Sequence, residues 1–289
     1  MKQFFKFMFA SMVGFLIAML LVIVVFLVFT FAVISSLGTE ETVYVKNNSV
    51  LEIKINYSIP ERSSKEPIIR FGTIPSIEKN IGLNDLLKTI SNAKYDDKIK
   101  GIYLDLDNFN AGGMAKLSEI RNSLLDFKES NKFIIAHGNT ISEAAYYIAS
   151  AADSIYLTPT GNMEFDGFGI ELTFFKKALD KLEIEPQIFQ YGKYKSAVEP
   201  FKADKMSKEN KEQLSEYINS VYGNVLSNIS KSTNISTADL KNLASNLKIN
   251  SAEDAEKFGL ITSLAYDDQV DSILSYLVYG EKDQKINKI

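Results

Sequence analysis

The sequence predicts an α/β domain of mostly parallel strands covered on both faces, held behind a membrane-spanning N-terminal helix. Three observations lead there. Residues Phe7 to Leu37 carry no charge and are dense in Phe, Leu, Ile, Val and Met. Beyond them, short segments of period two alternate with longer segments of helical period. Glycine- and proline-containing breakers separate the segments at the spacing of strand–helix–strand units.

The apolar run comes first. A helix needs about 20 apolar residues to cross a bilayer core of roughly 30 Å, and this run exceeds that. A cleaved signal peptide carries an apolar stretch of only about 7–15 residues before a small-residue cleavage site. "AVISSLG" near the end of the run offers small residues but no A-x-A pattern. Residues 1–39 are therefore read as an uncleaved anchor, and its length argues against a buried core helix. Lys2 and Lys6 precede it without an acid beside them, and Glu40 and Glu41 follow it. The positive-inside rule then leaves the N-terminus in the cytoplasm and the body on the extracytoplasmic side of the inner membrane.

The body, expected over 40–277, follows in order. "VLEIKIN" (Val50–Asn56) alternates like a half-buried strand, and "SSKEPIIRFGTIPS", broken by Pro67 and Pro75, is a loop. "GLNDLLKTISNAKYD" is helical. "IKGIYLDLD" (Ile99–Asp107) is a strand with Ile102, Leu104 and Leu106 on one face. "NAGG" (Asn110–Gly113) turns into a helix marked by Met114, Leu117, Ile120, Leu124 and Phe127. "KFIIAH", "SEAAYYIASAA" and "DSIYLTP" give strand, helix and strand, with His137 closing the first. "GFGIEL" leads to a helix through Leu179 and Leu182, and "EPQIFQY" is expected as another strand. A long helix follows, with Ser207 as N-cap and Leu214, Ile218, Val221, Val225 and Ile229 as its stripe. "STAD" (Ser236–Asp239) is a capping box with Asp in place of Glu or Gln, and "SAEDAEKFGLI" gives a further helix and turn. Residues 278–289 are polar and read as a linker, so the chain is expected to be the first part of something longer.

Composition narrows the chemistry. There is no cysteine, which excludes disulfides, thiolate nucleophiles and cysteine zinc sites. The single histidine, His137, rules out a zinc site built on several histidines, and a Ser-His-Asp triad could form only around it. An enzymatic base would then be Lys, Asp or Glu. The net charge of −4, of which Lys2 and Lys6 leave −6 on the rest, gives no basic tract for nucleic acid.

"YGKYKSAVEP" (Tyr191–Pro200) places Lys193 and Lys195 around a tyrosine. Fewer than about one in a thousand ordinary lysines is neutral at pH 7. A lysine base therefore needs a site that lowers its pKa by about three units, roughly 4 kcal/mol, and burial is the usual means. Tyr194, Ala197, Val198 and Phe201 could supply apolar surroundings, and two solvated surface lysines are the plain alternative. Ser196 and Ser142 are candidate nucleophiles. Gly112 and Gly113 could offer backbone N–H groups to an oxyanion, or simply form a turn. Asp105 and Asp107 could meet a cation or stand solvated at a strand end. Glu199, before Pro200, is read as structural.

"YGKYKSAVEPF" (Tyr191–Phe201) resembles the lysine-bearing motif of the signal peptide peptidase A family, also called protease IV, of S49-type serine peptidases. "AGGMAKLSEIRNSLLDFKESNKFIIAHG" (Ala111–Gly138), "AAYYIASAADSIYLTPTG" (Ala144–Gly161) and "FKADKMSKENKE" (Phe201–Glu212) are similar to its flanking segments. The resemblance runs from about Val50 to about Leu277. It implies a crotonase/caseinolytic-protease-like fold of repeated strand–strand–helix units. It also implies a Ser/Lys dyad that degrades remnant signal peptides at the membrane, a homo-oligomeric bowl, and no metal or organic cofactor.

In the family's long form two such domains lie in tandem, the first giving the general-base lysine and the second the serine. The motif maps that lysine to Lys195, the one followed by Ser-Ala-Val-Glu-Pro-Phe. The catalytic half carries its serine in a Ser-Gly-Gly-Tyr-Tyr-like string. Here "SEAAYYIAS" (Ser142–Ser150) puts Glu143 at that place, with Ser142 one residue early and about 100° around a helix start. The chain thus resembles the lysine-bearing half, expected to be inactive alone. Its expected partners are extended hydrophobic peptides, signal peptides among them, and the membrane, without nucleic acid. The alternatives are a short-form peptidase using Ser142, a non-catalytic membrane-tethered scaffold, and a crotonase-like acyl-thioester binder. The extracytoplasmic placement speaks against the last.

Overall fold

The computed structural model describes residues 2–37, 44–63, 81–282 and 284–289. The chain divides into two compact units, Met1–Tyr44 and Val45–Ile289. In the first, α1 (Lys2–Leu37) is one continuous helix. Its segment Lys2–Phe31 is long and apolar enough to cross a membrane. Glu40, Glu41 and residues 64–76 of the expected loop, with Pro67 and Pro75, lie outside the described residues.

The second unit is built on strand–helix alternation. β1 (Ser49–Lys54), α2 (Leu83–Tyr95), β2 (Ile99–Asp105), α3 (Met114–Lys128), β3 (Phe133–Ile141), α4 (Glu143–Ala149) and β4 (Ser154–Met163) come in turn. Then follow α5 (Lys176–Lys181), α6 (Glu199–Lys202), α7 (Lys208–Thr233), α8 (Thr237–Ser245), α9 (Ala252–Lys257), β5 (Ser263–Leu264), α10 (Asp267–Tyr279) and β6 (Asn287–Lys288). The six strands form one sheet in the order β5-β4-β3-β2-β1-β6, every pair parallel. Each of β1 to β4 lies beside the next in sequence, as helical crossovers between parallel strands dictate.

Both faces are covered, and the strand sequences carry the reason. On β2, Ile102 and Leu104 join the main core with Ile53, Ile134 and Ala136 of neighbouring strands and Leu117, Ile120, Leu124 and Phe127 of α3. Tyr103, between them, turns to the other face. There it packs with Val50, Ile135, Ala265, Val270 and Leu274, partly under α10. Alternation alone suggested one apolar face; the second is buried at its centre, where a helix lies on it, while Glu52 and Lys54 of β1 stay exposed.

The strand–strand–helix expectation corresponds to one local feature. β3 and β4 run in register through Gly138↔Leu157, shift, and resume at Thr140↔Asn162 and Ile141↔Met163. Each strand thus has a second short leg, and on β3 that leg leads directly into α4.

Serines set the helix starts. Ser142, Ser207, Ser236 and Ser251 each accept a backbone N–H from three residues on, at 3.1–3.3 Å. In the expected capping box the Ser236 hydroxyl also donates to the Asp239 carboxylate at 2.6 Å.

Two expected elements are corrected. "EPQIFQY" forms no strand; residues 185–191 pair with neither margin of the sheet, which ends at β5 and β6. The expected linker 278–289 also takes part in the fold. α10 continues through Tyr279, and the Glu52 N–H donates to Ile289 O at 2.9 Å while the Ile289 N–H donates to Val50 O at 3.0 Å. Lys288 sits 4.4 Å from the Tyr103 ring centroid and pairs with Asp271 at 2.8 Å. The physical reason is the open edge of β1, whose backbone groups need partners that polar residues provide as well as apolar ones.

Candidate active site

Lys195 stands on a turn between α5 and α6 in a stretch without regular secondary structure. Gly192 has φ +98°, a conformation that suits glycine, and the Lys195 N–H closes the turn on Gly192 O at 3.3 Å. The Gln190 amide donates to Lys195 O, and the Lys202 ammonium donates to the Gln190 side-chain oxygen. On the other side, the Glu199 N–H donates to Ser196 O at 2.9 Å. The turn is therefore pinned before and after the lysine.

Glu199 fastens this turn to α7. Its buried carboxylate accepts the Ser207 hydroxyl, the Ser207 N–H at 3.2 Å and the Asn210 amide at 2.9 Å. Burial works against its ionisation. The bonds from Ser207 and Asn210, helped by the charge of Lys202, outweigh it and hold the carboxyl below the ordinary carboxylate range. The structural role expected for Glu199 is thereby explained.

The lysine itself is exposed. It borders a recess of about 470 Å³ whose walls include Phe189, Tyr191, Tyr194, Val198 and Gln213. Phe189 and Tyr191 are 95% and 96% exposed, and of the expected apolar neighbours Tyr194 is 54% and Phe201 45% exposed, so this surround does not dry the lysine. This corrects the expectation of a dry lysine pocket within this chain. The cause is the missing strand: outside the sheet, the apolar residues of 185–191 have no core to enter. Lys193 is exposed on the polar side of the same turn, near Glu199 and Lys202.

Of the other expected site residues Ser196 lines this recess, and Ser142, Gly112 and Gly113 do not. Ser142 caps α4 and accepts the Ala145 N–H at 3.2 Å. Gly112, at φ +91°, and Gly113, the N-cap residue of α3, form the turn into that helix. Space beside Gly113 is open, while a side chain at Gly112 would come within 3.1 Å of the Ser58 hydroxyl. Ser196 gives its carbonyl to the turn.

Glu143 is the residue whose environment the sequence concealed. Its side chain is only 6% exposed, and it accepts the Gly167 N–H at 2.9 Å. Burial pushes its pKa up from the ordinary carboxylate range. The charge of Asp166 adds to this, and the Gly167 N–H and Tyr222 hydroxyl offset it only in part. The folded state thus keeps a proton that the unfolded chain has lost, so Glu143 lowers stability as pH rises from about 4.3 through its raised pKa. Glu143→Gln should remove that decline. The difference in thermal midpoint, variant minus wild type, should grow as pH rises above the ordinary carboxylate range; a pH-independent difference would contradict a raised carboxyl pKa.

His137 lies inside β3, which continues to Ile141, and does not close the strand. Its ring is 2% exposed, with Nδ1 3.4 Å from the Tyr103 hydroxyl and 3.3 Å from Asp267, and Nε2 3.3 Å from both Thr158 Oγ1 and Ala265 O. The Thr158 hydroxyl donates to Asn139 at 2.7 Å, and Asn139 donates in turn to Asp107 at 2.7 Å. Asp105 pairs with Lys54. These groups tie the middle of β3 and β4 to the chain leaving the carboxyl end of β2. Among the described residues no cluster of three or more His, Asp or Glu is arranged for a metal.

Comparison with known proteins places this geometry in context. The profile of Peptidase family S49 matches residues 126–278, which include Ser142, Glu143 and Lys195. Protease 4 of Haemophilus influenzae is 35% identical over 224 residues, covering 74% of this chain and 36% of that protein. The chloroplastic serine protease SPPA of Arabidopsis thaliana is 32% identical over 206 residues, covering 71% and 30%. Protease 4 of Salmonella typhi is 36% identical over 170 residues, covering 59% and 28%. The chain matches about a third of the length of these relatives.

Proposed function

The chain belongs to peptidase family S49, and from that premise we propose that it is the general-base half of a membrane-anchored serine endopeptidase that degrades remnant signal peptides. Lys195, neutral in the assembled enzyme, takes the proton from a serine supplied by a downstream domain or a neighbouring subunit. That serine attacks the peptide carbonyl, the amine of the cleaved bond leaves with a proton, and an acyl-enzyme remains. Lys195 then draws a proton from water, which releases the acyl group. α1 anchors the protein in the inner membrane with its N-terminus cytoplasmic, and the protein works as a homo-oligomer.

One observation carries the reading. The motif lysine sits on a pinned turn, yet Phe189 and Tyr191 beside it lie almost wholly in water and Tyr194 about half so. A rigid mount with an uncovered apolar surround suits a lysine that is dried by a second module rather than by its own fold. Burial of Phe189, Tyr191 and Tyr194 on docking would remove water from the amine and favour its neutral form. Glu143, a buried carboxyl where the resemblance puts a serine, is consistent with a nucleophile from elsewhere.

A fluorophosphonate probe and an apolar reporter peptide test this directly. The 289-residue chain alone should be neither labelled nor active. The protein made from its full coding sequence should be labelled at a serine other than Ser142 and should cleave the peptide. Labelling of Ser142 in the isolated chain would replace the split dyad with the short-form peptidase. Silence of both forms would leave a membrane-tethered scaffold.

A further inference from the structure

The apolar stripe of α7 changes character along its length. Val225 and Ile229 are buried in the main core, whereas Leu214, Ile218 and Val221 are only half-buried. The uncovered end forms the floor of a groove of about 450 Å³, with Leu214 and Ile218 facing Phe168 and Met206. This is within the size range of ligand pockets. The groove adjoins the lysine recess across the helix: Gln213 lines that recess and Leu214, the next residue, lines this groove.

Its charge is one-sided. Lys205 and Lys211 line it, and no carboxylate does. Among the described residues neither lysine has a carboxylate within 4.0 Å, although the surrounding segment is rich in acids. An apolar floor beside two unpartnered cations suits a ligand that is apolar in its side chains and anionic at one point. The free C-terminus of an apolar peptide has that form. A second copy of the chain fits poorly, because a two-fold contact through this patch would bring lysines to lysines.

We propose that the groove receives the C-terminal end of an extended apolar peptide, its last side chains resting on Phe168, Leu214 and Ile218 and its carboxylate held by Lys205 and Lys211. The proposal rests on the peptidase reading for the choice of a peptide as ligand, and it adds a direction. Substrate or product is gripped by its tail beside the turn that carries Lys195.

The test uses the full chain in lipid nanodiscs, in a Lys195→Ala background that prevents turnover. The probe is an N-terminally fluorescein-labelled octapeptide of leucine and alanine, made as the free acid and as the C-terminal amide, with binding read by anisotropy. The acid should bind about tenfold more tightly than the amide at low salt, and added salt should erase the difference. Lys205→Gln/Lys211→Gln should bring the acid down to the amide, and Leu214→Asn should weaken both. Equal binding of acid and amide, an acid preference that survives the double lysine change, or no binding at all would overturn the proposal. So would a wild-type dimer, seen by sedimentation, that Leu214→Asn dissociates, since the groove would then belong to a second copy. An acid preference in a protein that hydrolyses nothing leaves this site standing and removes the peptidase reading. Hydrolysis without the preference does the reverse.

Discussion

Lys195→Ala should lower kcat/KM for peptide hydrolysis by the assembled enzyme by about 10²–10⁴-fold, the usual worth of a general base. That loss corresponds to about 3–5 kcal/mol of transition-state stabilisation. Assembly should persist, because the turn is held by main-chain and Gln190 contacts that do not use the ammonium. Lys195→Arg should be equally inactive, since a guanidinium does not give up its proton in a protein. Lys193→Ala is the control and should be mild: its side chain points to the polar surface near Glu199 and Lys202, away from the aromatic surround. Unchanged turnover in Lys195→Ala would end the assignment.

Phe127→Ala should destabilise the Val45–Ile289 unit by about 3–5 kcal/mol, the cost of a large core cavity. Phe127 is wholly buried on α3, between the crossovers from β2 and into β3, in one cluster with Ile120, Leu124 and Ile134. Leu125, on the outer side of the same helix, is 36% exposed, and Leu125→Ala should cost well under half as much. Urea denaturation followed by circular dichroism should report a lower midpoint with little change in slope. Comparable losses from the two substitutions would mean that the α3 stripe is not the anchor of this core.

Much of the framework is legible in the sequence itself. The stripe from Leu117 to Phe127, the alternation in Val50–Asn56 and the Ser207 cap depend on local chemistry, and each lies where period and capping put it. "EPQIFQY" has the same alternation but gains no partner, because pairing is a property of the sheet and not of the segment. Residues 278–289 erred the other way: polar side chains hid a backbone that completes the edge of β1. In the site, the motif singled out Lys195, and the serine, lysine and glutamate around it indicated nothing about exposure. Glu143 could be suspected from its place in "SEAAYYIAS", but its burial depends on the 164–168 segment folding over it. The chain from His137 to Asp107 joins three strands, and a single sequence carries no signal for such contacts.

The sheet ends on both sides in a two-residue strand, β5 at one margin and β6 at the other. Long bare margins invite identical molecules to add strand upon strand; such short ones offer little to copy. A multimer that does not pair strands at these margins would be built by side chains meeting across loops and helices, and each of its seams could be opened by substitutions that leave the hydrogen-bonded framework of every protomer untouched.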